Sequence, residues 1–173
     1  GAKQNTAGSI FNAAITIPPY WLNTAKDMIE YEAVMTVKGG LLLTAYGIGI
    51  GTTEVSPPTS AVFSTLYGTA GKEGIYVIHI RGKLTRLTNL LVRTHTEASI
   101  YDGGGSTTGL TGQLVYQGRA DQSGINVAMG GGSSFTDLSV PSISAGIIIY
   151  PIGGGSAGDY NLVHFSVWAA KKV

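Results

Sequence analysis

The chain has 173 residues and a formal net charge of +1, from 11 Lys and Arg against 10 Asp and Glu. This length fits one domain with its own core, and balanced charge without a basic stripe argues against a nucleic-acid partner. The lack of cysteine excludes thiolate nucleophiles, cysteine zinc sites and iron–sulfur clusters, and without an apolar run of about 18 residues we expect no membrane insertion.

We expect residues 1–173 to form a single domain in which residues 1–8 are a flexible N-terminal segment. This opening segment has no apolar stretch of the signal-peptide kind. It also lacks an initiator Met, so we expect the chain to be a fragment of a longer protein. The Gly/Ser/Thr-rich stretches 102–112 and 130–134 are too short for domain linkers and are flanked by predicted strands.

Alternating apolar residues and β-branched runs, separated by Gly, Pro, Ser and Asn, predict strands along most of the chain. No stretch of ten or more residues has a convincing helical period. The expected strands are 9–17, 28–38, 41–50, 60–67, 74–82, 88–100, 112–118, 125–129, 143–151 and 160–170. Many short strands without intervening helices predict an all-β, antiparallel sandwich or barrel of eight to ten strands.

The strand at 88–100 has two distinct faces, because side chains alternate along a strand. One face carries small and apolar residues, which we expect to be buried: Val92, Thr94, Thr96, Ala98 and Ile100. The other face carries polar residues, which we expect to meet water or a neighbouring subunit: Arg93, His95, Glu97 and Ser99.

Glycines have two predicted roles. The triplets 103–105, 130–132 and 153–155 lie between predicted strands and mark tight connections. Gly47, Gly49 and Gly51 instead alternate with isoleucines inside one strand. We interpret this segment as a bulged or bent strand, with close approach by another backbone or an aromatic ring as the alternative.

Three segments carry a resemblance to a known family: SIFNAAITIPPYWLNTAKDMIEYEAVMTV, GKEGIYVIHIRGKL and GIIIYPIGGGSAGDYNLVHFSVWAAKK. In order, they look like an opening strand with a proline-marked turn and second strand, a central strand, and a closing strand pair. The chain thereby resembles the jelly-roll domain, similar to that of tumour necrosis factor, at the C-termini of tailed-bacteriophage fibre, spike and head-decoration proteins. Residues 102–135 are the least similar part.

The resemblance implies an antiparallel jelly-roll sandwich that forms a homotrimer, with the closing strand near the threefold axis. It also implies a location in the virion, contacts with other virion proteins and attachment to the host surface. From its place on the closing strand we expect Trp168 to lie in the core or at the trimer axis. The most polar cluster, Arg93, His95 and Glu97, is expected to form a charged outer face or an intersubunit set of salt bridges, so these four residues are the candidates for a subunit interface.

Catalytic motifs are missing from the sequence, so we expect no enzyme activity and no cofactor. Glu30 and Glu32 project from one face of a predicted strand, which would suit a glycoside hydrolase or simply a solvated face. A metal site of His79, His95 and His164 requires three strands to converge; one hydrogen bond each for His79 and His164 is the preferred interpretation. Asp102 and Asp121 belong to no calcium-binding array, and we expect no bound metal.

Aromatic residues provide an alternative function, that of a carbohydrate-binding, lectin-like module without a virion role. Tyrosine next to Asp or Gln can both stack on a sugar and hydrogen-bond to it. Two such pairs lie at predicted strand ends, where loops present ligand-binding side chains: Tyr101 with Asp102, and Tyr116 with Gln117. The competing interpretation is that these aromatic residues fill the core or an interface.

Overall fold

The computed structural model describes residues 3–4, 15–38, 44–51, 61–67, 74–104, 112–126, 143–151 and 159–170. The strands are β1 (Lys3–Gln4), β2 (Ile15–Ile17), β3 (Met28–Lys38), β4 (Thr44–Gly51), β5 (Ala61–Tyr67), β6 (Ile75–Arg86), β7 (Leu91–Gly104), β8 (Leu114–Asn126), β9 (Ile143–Pro151) and β10 (Asp159–Ala169). Over these ranges the helical structure is one 3-10 turn, Pro19–Trp21, and no helix is long and apolar enough to cross a membrane. The prediction of an all-β, antiparallel fold is confirmed.

The strands form a six-stranded sheet, β1-β10-β3-β6-β7-β8, and a four-stranded sheet, β2-β9-β4-β5. Strands predicted at 28–38 and 143–151 have the observed bounds, whereas those predicted at 112–118 and 125–129 both overlap the single strand β8, and residues 127–129 lie outside the described residues. Lys3 and Gln4, in the segment expected to be flexible, pair with β10. Residues 9–14 and the glycine triplets 130–132 and 153–155 lie outside the described residues.

The core lies against one face of the six-stranded sheet, because apolar residues alternate along its central strands. In β3 every second side chain from Ile29 to Val37 is buried, and the buried face predicted for β7 is confirmed. Ile17 of β2 and Leu22 after the 3-10 turn join the same cluster. The opposite side of this sheet is here called the outer face. It carries the side chains that alternate with the buried ones along each strand, and many of them are polar.

Tyr31 makes a close interaction across three strands of this core. Its ring lies on the inner face of β3 and crosses Gly82 of β6, and its hydroxyl hydrogen-bonds to Thr96 Oγ1 of β7 at 2.5 Å. A Cβ atom on Gly82 would collide with both the Tyr31 ring and the His95 carbonyl oxygen. Glycine is therefore required at residue 82 so that an aromatic side chain can span three strands.

Strand β10 contains a bulge at Val163, where its pairing with β3 moves from Leu162 opposite Met35 to His164 opposite Val34. A bulge adds one residue and so reverses which side chains face the core. Leu162 and Phe165 face inward, whereas His164, Ser166 and Trp168 lie beside outer-face residues of β3. The bulge places Trp168 on the outer face, where it is 39% exposed. Of the two placements expected for Trp168, the core is therefore wrong, and the trimer axis stays a prediction.

The glycine-rich strand β4 is irregular on one side. Its ladder with β5 shifts between Tyr46 and Ile48, whereas its ladder with β9 is continuous from Thr44 to Gly51. Between these pairs β4 advances by two residues, from Tyr46 to Ile48, whereas β5 advances by four, from Thr65 to Ala61, so the extra residues lie in β5 and the bulge expected in β4 is not seen in either ladder. A close approach of an aromatic ring to a glycine is found at Gly82 of β6.

Gly82→Ala should lower the free energy of unfolding by about 3 kcal/mol, because the new methyl group meets backbone atoms that cannot move aside. Gly112→Ala is the matched control. Gly112 has open space around it but a φ of +83°, so its substitution should cost only about 1 kcal/mol, from backbone strain. Urea denaturation of both variants measures the difference, and a loss at Gly82 no larger than that at Gly112 would contradict the packing argument.

Candidate functional site

The outer face of the six-stranded sheet carries ordered rows of polar side chains, because directly paired residues of antiparallel strands point the same way. The strand pairing aligns two rows across β10, β3, β6, β7 and β8. The first row is Trp168, Glu30, Lys83, His95 and Asp121. The second row is Ser166, Glu32, Arg81, Glu97 and Arg119.

Glu30 contacts both of its neighbours in the first row, Lys83 and Trp168. Its Oε1 lies 2.9 Å from Lys83 Nζ, and its Oε2 accepts a hydrogen bond of 3.1 Å from the indole Nε1 of Trp168. The hydrogen bond from Lys83 is the main reason that the pKa of Glu30 is lowered, with a further contribution from Trp168. An ionised Glu30 therefore holds the half-exposed indole in a defined orientation.

His95 contacts two carboxylates, one on its own strand β7 (Glu97) and one on the neighbouring strand β8 (Asp121). Its Nδ1 lies 2.5 Å from Asp121 Oδ1, and its Nε2 lies 3.3 Å from Glu97 Oε1. The hydrogen bond to Asp121 raises the pKa of His95, the contact with Glu97 raises it further, and partial burial opposes both. Glu97 also accepts a 2.8 Å hydrogen bond from Arg81 Nε, which is the largest cause of its lowered pKa.

The other two histidines lie in a third row and each has a polar partner. His79 Nε2 lies 2.6 Å from Glu32 Oε1, and His164 Nε2 lies 3.1 Å from Ser166 Oγ. The expectation of one hydrogen bond each is confirmed for these contacts. The three histidines do not converge, and within the described ranges no group of three His, Asp or Glu residues is placed to hold a metal ion.

A shallow depression of about 380 Å³ lies at the centre of the outer face and is here called the central depression. Seven polar or aromatic side chains surround it, and Tyr31 and Gly82 also contribute to its lining. The seven are Glu30, Glu32, Arg81, Lys83, His95, Glu97 and Trp168. This arrangement combines one exposed aromatic ring with alternating carboxylates and cations.

The four residues predicted at a subunit interface are found on this same outer face. Arg93, His95 and Glu97 project from β7 as expected, and Trp168 reaches the same face through the bulge in β10. Contact with another subunit stays a prediction for all four. Sequence reasoning did not find Arg81 as the partner of Glu97 or Asp121 as the partner of His95, because those contacts depend on the register between strands.

The four residues predicted to bind a glycan do not form one surface. Tyr101 and the exposed Gln117 lie on the outer face, whereas Asp102 and Tyr116 lie on the core side. Asp102 is only 2% exposed, and its Oδ1 accepts a 2.8 Å hydrogen bond from Gly104 N. Tyr116 packs against the core cluster opposite Ile100. Asp102 therefore stabilises the C-terminal end of β7 from the core side.

The two candidate hydrolase carboxylates, Glu30 and Glu32, do share the outer face, but each is held by a basic partner. Glu30 pairs with Lys83, and Glu32 pairs with His79. A general acid needs a raised pKa, and the pKa of Glu30 is lowered. This environment does not favour the paired-carboxylate mechanism.

Comparison of the chain with protein-family models, with curated proteins and with solved structures gives no match.

Asp121→Asn should lower the pKa of His95 towards the ordinary value of about 6.5, because it removes the main group that favours the imidazolium. In the unsubstituted protein the ion pair between His95 and Asp121 stabilises the fold within a pH range that has an upper and a lower limit. The contribution is lost as pH rises through the raised pKa of His95, and it is lost as pH falls through the lowered pKa of Asp121. NMR titration of the histidine ring protons measures this shift, and an unchanged His95 titration would contradict the assignment. The His164 signal is the internal control.

Asp102→Ala should lower the free energy of unfolding by about 1–3 kcal/mol, because it leaves the backbone N–H of Gly104 without its carboxylate acceptor. The exposed Gln117→Ala is the control from the same predicted group, and its effect should stay within about 0.5 kcal/mol. Thermal and urea denaturation provide the measurement. Equal stability of the two variants would contradict a structural role for Asp102.

Proposed function

We propose that this chain is a non-catalytic jelly-roll domain of a bacteriophage virion structural protein, of the fibre, spike or head-decoration type, that assembles as a homotrimer. The order in which strands pair is the observation that carries the proposal. It supports the jelly-roll topology that the family resemblance implies.

The pairing supports a jelly roll because the two halves of the chain pair in reverse order. The antiparallel pairs are β1 with β10, β2 with β9, β3 with β6, and β4 with β5. Successive pairs alternate between the six-stranded and four-stranded sheets. A two-stranded ribbon wrapped into two sheets produces this alternation, which is the double Greek key of a jelly roll. The hairpin β7–β8 then extends one sheet beyond β6.

The two sheets share one core, which supports a sandwich. Ile17 of the four-stranded sheet clusters with buried residues of the six-stranded sheet. The closing strand β10 lies inside its sheet, between β1 and β3, as the resemblance leads us to expect. A surface with few charged residues, 12% of the chain, suits packing against other subunits.

A trimer in solution should have three times the chain mass of 17.9 kDa. Size-exclusion chromatography with multi-angle light scattering, over a range of micromolar concentrations, measures this mass directly. A strictly monomeric species throughout that range would contradict the proposal, as would a dimer, because neither is the threefold assembly that the proposal requires.

A further inference from the structure

The outer face carries an exposed, hydrogen-bonded tryptophan beside a depression lined by alternating charges. Exposed ion pairs contribute only ~0–1 kcal/mol each to stability. The ordered rows around the central depression therefore position side chains at a surface more than they stabilise the fold. A volume of about 380 Å³ falls within the ~300–1,000 Å³ of small-molecule sites.

We propose that the central depression binds a neutral pyranose unit of a glycan, with Trp168 as the stacking platform. The proposal does not depend on the virion role or on trimer formation. The proposed site lies on the same sheet as the glycan-binding residues expected from the sequence but does not include them: Tyr101, Asp102, Tyr116 and Gln117.

Trp168 has the properties that stacking requires. Its side chain is 39% exposed, and the hydrogen bond from Nε1 to Glu30 Oε2 restricts its rotation. One side of a pyranose ring presents mainly C–H groups, which pack against an aromatic ring, and an oriented ring loses little further freedom on binding. The bulge at Val163 is what brings this indole to the outer face.

The rim of the depression supplies hydrogen-bonding groups of both kinds. Carboxylates accept hydrogen bonds, whereas Lys83 and Arg81 donate them. The Lys83 side chain is 52% exposed and that of Arg81 is 67% exposed, so both reach solvent above the sheet. Neighbouring hydroxyl groups of a sugar each donate and accept, and they match a rim in which the two kinds alternate.

Charge pairing inside the chain favours a neutral ligand over an acidic one. Each carboxylate of the depression already has a basic partner: Glu30 has Lys83, Glu97 has Arg81, and Glu32 has His79. A carboxylated sugar would have to compete with these carboxylates for the same cations. A neutral pyranose can instead bond to the paired groups without separating them.

The fluorescence of Trp168 provides a direct test, because the chain has two tryptophans and the other is Trp21. In the Trp21→Phe variant all tryptophan emission comes from Trp168. Titration with the methyl pyranosides of glucose, galactose and mannose should give a saturable change with at least one of them. No saturable change with any of the three would overturn the proposal, and so would tighter binding of glucuronic acid than of its neutral counterpart glucose.

Amide NMR shifts on the unsubstituted protein locate the site and allow variants without tryptophan to be compared. Trp168→Ala and Glu97→Gln should each weaken binding roughly tenfold or more, and the shifts should centre on Lys83 and His95. Glu97→Gln keeps the platform, so it tests the rim even if Trp168→Ala does not fold.

Tyr20→Ala is the matched control for an exposed aromatic residue at another site. Tyr20 is 74% exposed and lines a second depression with Trp21 and Asn23, so its loss should leave pyranoside binding unchanged. Weakened binding in this variant would place the ligand elsewhere and overturn the assignment.

A subunit interface and a sugar cannot both cover Trp168, and light scattering separates the two. Trp168→Ala should leave the molar mass unchanged. A lower mass for this variant would assign the residue to the interface and would overturn the glycan proposal, while leaving the proposed trimer intact.

Discussion

The passage of Tyr31 across Gly82 to Thr96 is the constraint on which the centre of the larger sheet depends. It joins the core faces of β3, β6 and β7 at a single point, and burial raises the pKa of the Tyr31 hydroxyl so that it stays protonated. A shift of one residue in either ladder would move the phenol from the glycine onto a side chain. The register of the outer face therefore depends on this inner contact.

That register decides which charges meet on the surface. With Gly82 between Tyr31 and Thr96, Lys83 lies between Glu30 and His95, and Arg81 lies between Glu32 and Glu97. Lys83 and Arg81 are thus each placed beside a carboxylate, and opposite charges in directly paired positions are favourable. The same strand alignment therefore sets both the core packing and the contacts on the polar surface. The central depression lies over the point where the two meet, since Tyr31 and Gly82 contribute to its lining.

Much of the fold follows from local pattern. The local pattern predicted strands at 28–38 and 88–100, and the alternation in 88–100 also predicted its buried face, because side-chain direction in a strand repeats every two residues. The same pattern placed Arg93, His95 and Glu97 together on the opposite face. Asp102 shows where this reasoning stops, since adjacency to a tyrosine at a predicted strand end did not indicate that its buried carboxylate accepts a hydrogen bond from the backbone of Gly104.

The sequence by itself determined the all-β class, the alternation of most central strands and the polar character of one sheet face, since these depend on neighbours two residues apart. Only the tertiary structure decided the position of Trp168 and the partners of its neighbours. One added residue at Val163 reverses the facing of β10, and nothing local in that strand distinguishes a bulge from regular alternation. The contacts of Glu30 with Lys83 and of His95 with Asp121 join residues far apart in the chain, so they exist only once the strands have paired in register.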